Sequence, residues 1–143
     1  MFGFGKKAAA AKTTFKKMEN RDLMEALICG CILVAGADGE LEASELDRVE
    51  AIIKTNDKLA HFGAEISNII AKYKEKFEKV GFQVLKFEAK REISDIKHNA
   101  DNAAEVFVNM IAIALADGEI EPAEEKVLEE IGRMMGLRVE DFI

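Results

Sequence analysis

One short pattern occurs twice in this chain and governs how it can fold. Ala37-Asp38-Gly39-Glu40-Leu41-Glu42, followed by Glu45, returns as Ala116-Asp117-Gly118-Glu119-Ile120-Glu121, followed by Glu124. Every position is displaced by 79 residues, the distance from Asp38 to Asp117. The flanks keep the same displacement. Ile32-Leu33-Val34-Ala35 precedes the first copy and Ile111-Ala112-Ile113-Ala114 the second, while Val49 and Ile52 downstream match Leu128 and Ile131. The repeated unit is a buried helix, an acidic turn and an amphipathic helix.

With 143 residues, 49% of them apolar, the chain can build one domain with a substantial core. A single Pro and plentiful Ala, Glu, Lys, Leu and Ile favour an all-helical body. Charge divides the chain unevenly. Residues 1–17 hold Lys6, Lys7, Lys12, Lys16 and Lys17 with no acid, so of the net −7 the remaining residues carry −12. Such a body repels nucleic acid and attracts cations or basic partners. The basic tail, with Phe2 and Phe4, could instead dock the domain to an anionic membrane surface or to a partner, through a helix over Ala8–Met18. A peripheral membrane adaptor is therefore the alternative reading.

Cys29 and Cys31 are the only cysteines. Two positions apart on a helix they face different ways, so they read as small core residues and not as a disulfide or a metal pair. The longest apolar run, Ala26 to Ala37, has twelve residues, against roughly 18 or more for a membrane span. The N-terminus has a basic start but only Ala8 to Ala11 where a signal peptide needs a strongly apolar segment. A cytoplasmic location, reaching at most to the inner face of the membrane, is expected.

Periodicity predicts about seven helices in one compact bundle, with domain 18–143 divided into halves of about 18–80 and 81–143. The helix ending near Gly36 is apolar on all sides from Ala26 onward, which places it at the centre. Leu46, Val49, Ile52 and Ile53 stripe the next; Phe62 to Val80 stripe a third, broken by Gly81; Phe82 to Ile96 stripe a fourth. Asp101 or Asn102 is expected to open the second central helix. Pro122 marks a first helical residue with Glu121 as cap, Gly136 closes that helix, and Val139 to Ile143 form a short last turn. No strand alternation is present.

Asp-Gly followed by Glu six residues after the Gly is the second half of a helix-loop-helix calcium loop. The first half is missing: the places four and two residues before each Asp hold Val34 and Gly36, or Ile113 and Leu115. Gly39 and Gly118 suit a positive φ, and the glutamates suit the first turn of the following helix, so capping accounts for much of the pattern. Asp38, Glu42 and Glu45, like Asp117, Glu121 and Glu124, also gather three carboxylates about one turn, which suits Ca²⁺ or Mg²⁺. Antiparallel central helices would separate the two turns; parallel ones would merge them. Nothing indicates catalysis: His61 and His98 have no nucleophile or ligand pattern beside them, and there is no phosphate loop or nucleophile elbow.

The doubled Ala-Asp-Gly-x-Leu/Ile-x-x-x-Glu turn, each copy after a small-residue apolar helix, resembles the TerB family of tellurite-resistance proteins. The ending Gly136-Leu137-Arg138-Val139-Glu140-Asp141-Phe142 resembles it too. The resemblance runs from about Met18 to Phe142. It implies a compact all-helical bundle of two related halves, a non-enzymatic role in bacterial tellurium-ion and stress response, and work with a TerC-like membrane protein and TerD-like calcium-binding proteins. It also implies a divalent-cation role for the acidic turns at Asp38, Glu45, Asp117 and Glu124.

Overall fold

The computed structural model describes residues 20–143. The tail residues Phe2, Phe4, Lys6, Lys7, Lys12, Lys16 and Lys17, and the expected Ala8–Met18 helix, lie outside the described residues. Among those described the fold is all-α, without strands. Helix α1 is already formed at residue 20 and runs to residue 35. It is followed by α2 (Ala43–Lys54), α3 (Ala64–Val80), α4 (Phe82–Ile96), α5 (Ala100–Leu115) and α6 (Pro122–Met135). Two short 3-10 turns, Ala60–Phe62 and Val139–Asp141, complete the path. The described residues thus hold six α-helices where about seven were expected, because the last element tightens into a 3-10 turn.

Local chemistry explains most boundaries. Pro122 is the first residue of α6, as its fixed φ and missing N–H favour. Gly136 ends α6 at φ 74°, and the Leu137 N–H returns to the Gly132 carbonyl at 2.8 Å, closing a Schellman turn. Helix α5 departs from expectation. Its cap is Asn99, whose side-chain oxygen accepts the N–H groups of Asp101 (3.0 Å) and Asn102 (3.1 Å). A capping side chain has to precede the N–H groups it satisfies, so Asp101 and Asn102 are the capped residues and not the cap.

The core is built around α1, which from Leu23 to Ala35 buries every residue except Glu25. Cys29 and Cys31 lie in that core as free thiols. Gly30 lets α5 approach closely: a Cβ there would stand 2.9 Å from Met110 Sδ and 3.4 Å from Val106. Helices α3 and α4 pack on one another, α2 on α3 and α5, and α6 on α5. Glu130 of α6 accepts from Lys86 and Lys90 of α4, and Glu105 of α5 pairs with Lys58 beyond α2. No described helix is long and apolar enough to cross a membrane.

The chain end locks back onto α5, where Phe142 meets Phe107 edge to face with centroids 5.5 Å apart. That return passes so close to α6 that a Cβ on Gly132 would lie 2.5 Å from the Leu137 carbonyl oxygen and 3.0 Å from Phe107. Gly132→Ala is expected to destabilise the fold by about 1–3 kcal/mol, a loss of several degrees in a thermal melt. The thiols give a second check. Burial pushes Cys29 up and Cys31 up to about 12, so neither should react with a thiol reagent until the chain is unfolded in denaturant.

Candidate functional site: the merged acidic turns

Each acidic turn begins where a central helix runs out. After α1, the Gly39 N–H donates to the Gly36 carbonyl at 3.0 Å; after α5, the Gly118 N–H donates to Leu115 at 2.9 Å. Gly39 and Gly118 have φ of 94° and 106°, conformations that L side chains rarely adopt. These glycines sit four residues beyond the end of α1 and three beyond the end of α5, and reverse the chain toward the next helix. Leu41 and Ile120 then pack, partly buried, against the core.

The glutamates that follow have a capping task. Glu42 and Glu121 are the N-cap residues of α2 and α6. Glu45 accepts the Glu42 N–H at 3.0 Å, and Glu124 accepts the Glu121 N–H at 2.9 Å. This is the return half of a capping box, carried by the third residue of each helix. Asp38 secures the first turn further by accepting the Glu40 N–H at 3.0 Å.

The two turns meet. Gly30 touches Met110 and Val106 upstream, and the turns downstream share one cleft, so α1 and α5 must run side by side in the same sense. The cleft, of about 40 Å³, is lined by Val34, Ala35, Asp38, Glu45, Asp117, Glu121 and Glu124. Five of the six expected carboxylates therefore converge. Glu42 is not in the lining, although its charge still acts on Glu45. Val34 and Ala35, which sequence reasoning treated only as core, form the floor; their position at the last turn of α1 was the available signal.

The crowding shows in the electrostatics. Glu45 and Glu124 are both held above the usual carboxylate range, first by burial and then by neighbouring charge. The neighbours cross between the copies: Glu45 feels Asp117, and Glu124 feels Asp38. Such reciprocity is the mark of two units related by an approximate two-fold. Among the described residues no basic side chain lines the cleft to offset this charge. Its donors are hard oxygens suited to Ca²⁺ or Mg²⁺. They do not form a closed cage, since among the described residues no group of three or more Asp, Glu, His or Cys side chains is arranged to hold an ion. His61 and His98 are exposed and lie outside this cleft.

A raised carboxyl binds its proton more readily in the folded chain than in the unfolded one. Its contribution to stability is present below the ordinary value of 4.5 and is lost as pH rises through the raised value. At pH 7 the Glu124 charge therefore works against the fold. Glu124→Gln keeps an oxygen to accept the Glu121 N–H and removes the charge. It is expected to raise the melting temperature by about 1–2 °C at pH 7 and to leave it unchanged near pH 4. A melt that shows no gain at pH 7 would dismiss the repulsion.

Among curated proteins and among solved structures no match is found. The sequence profile of the family described as tellurite resistance protein TerB matches residues 24–143, a span that contains both acidic turns, the Gly30 contact and the returning C-terminal segment. By that match over most of its length, the chain belongs to the TerB family of tellurite-resistance proteins.

Proposed function

We propose that this chain is a non-enzymatic interaction module of the tellurite-resistance and stress response, with the merged acidic cleft as a divalent-cation site that adjusts its contacts. The observation that carries the reading is the convergence of Asp38, Glu45, Asp117, Glu121 and Glu124 on one small cleft in whose lining no described basic side chain stands. A bound Ca²⁺ or Mg²⁺ would relieve the repulsion that raises Glu45 and Glu124. It would also draw the ends of α1 and α5 and the starts of α2 and α6 together, so occupancy would reach four helices at once. The partners proposed are the TerC-like membrane protein and TerD-like proteins of the same system. Family membership and the −12 body support such partners, the latter because it favours basic surfaces.

Because the cleft is shared, its stoichiometry is diagnostic. Calorimetric titration of Ca²⁺ and Mg²⁺ into metal-stripped protein should give one ion per chain. Affinity should be weak, with Kd on the order of 0.1–1 mM as befits an unclosed donor set. Asp38→Asn or Asp117→Asn alone should abolish it, and the same variants should lower tellurite resistance in cells. Two independent sites, or binding that survives both substitutions, would remove the cleft from the mechanism.

A further inference from the structure

The 79-residue displacement reaches past the acidic turns. The 3-10 turns Ala60–Phe62 and Val139–Asp141 also stand 79 residues apart, so α1, α2 and a 3-10 turn are repeated as α5, α6 and a 3-10 turn. The first unit is covered by α3. That helix runs along α1 in the same sense: Glu65 pairs with Arg21, Tyr73 hydrogen-bonds Cys29, and the Phe77 ring lies against Gly36. It also reaches α2, where the Ser67 hydroxyl donates to Glu50.

Carried forward by 79 residues, the seat of α3 falls on Val108, Ala112, Leu115, Ile120 and Glu129. No described helix fills it. Cys29 and Leu33 are 0% exposed beneath α3, whereas Val108 is 44% and Leu115 39% exposed, and Ala112 is exposed as well. A groove of about 490 Å³ opens between α6 and the C-terminal segment, and two residues of the carried-forward seat, Ile120 and Glu129, are in its lining. Apolar residues on one face of a central helix are uncommon at a free surface unless something binds there.

We propose that the face formed by α5 and α6 is a docking seat for an amphipathic, lysine-bearing helix of a partner protein. The internal repeat specifies the occupant. α3 buries Ile66, Ile70, Tyr73 and Phe77, and its other faces carry Lys72, Lys74, Lys76 and Lys79. The partner helix presents apolar side chains at the same spacing and, like α3, carries both signs of charge, its lysines set against Glu125, Glu129 and Glu140 of the groove and its acids against Arg133 and Arg138. Among the described residues a second copy of this chain has no spare helix of that pattern, because its own α3 is seated. The inference rests on the interaction-module reading but uses a surface distinct from the acidic cleft.

A fluorescent peptide of residues 64–80 serves as the stand-in helix, titrated into isotope-labelled full-length protein while amide shifts and anisotropy are followed. The expected result is saturable binding with shifts at Val108, Ala112, Leu115 and Glu129, weakened at least tenfold by Leu115→Glu with an unchanged helical spectrum. Absence of saturable binding overturns the proposal, as do shifts centred on Cys29 and Gly36, which would mean exchange with α3. Two further outcomes also overturn it. One is movement of the α5 amides on Phe15→Ser/Met18→Ser substitution without peptide, which would put the chain's own first residues in the seat; the other is a dimer in sedimentation that Leu115→Glu dissociates. None of these results touches the cation titration, so the two ideas fail separately.

Discussion

The close approach of α1 and α5 at Gly30 is the contact on which the molecule depends. Any larger residue there would push against Met110 and Val106, and the two central helices would separate. Since they run in the same sense and touch a few residues before Asp38 and Asp117, their ends arrive together. The crowding of carboxylates is a consequence of that packing. Repulsion between like charges is tolerated because α2 and α6 both start at this place, where exposed N–H groups and the positive ends of helix dipoles favour acids.

Much of this architecture was legible in the chain itself. Pro122, Gly81 and Gly136 act through backbone geometry alone, and the boundaries they imply are the observed ones. Burial on all sides of α1 followed directly from its apolar run. What was not legible depends on relations between distant segments. Hydrophobic period says which face a helix buries but not the direction in which two central helices pass one another, so whether the acidic turns would merge stayed open. The cap of α5 illustrates a different gap: Asn99, Asp101 and Asn102 are all good capping types, and only the backbone reveals which precedes the first turn. Val108 and Leu115 show a third. Their apolar type does not say that they stand exposed with no described helix over them.

The repeat is thus faithful in its turns and unequal in its surroundings. Corresponding hydrogen bonds in the two capping boxes agree to within a tenth of an ångström, while α1 is enclosed and α5 is open along one side. A duplicated unit that buried both faces equally would have no reason to meet anything else. Inequality between copies gives a self-contained domain a place for traffic with other molecules, and it does so without disturbing the half that carries the core.

Burial of the two cysteines has a bearing on survival under oxidative attack. The thiolate is the form that oxidants consume, and a thiol held at about 12 is ionised at pH 7 in roughly one molecule in 10⁵. The sulfur-bearing Met24 and Met110 are enclosed with the two cysteines. The protein keeps its cysteine sulfur and these two methionines inside the packing, out of reach of oxidants that act from solution.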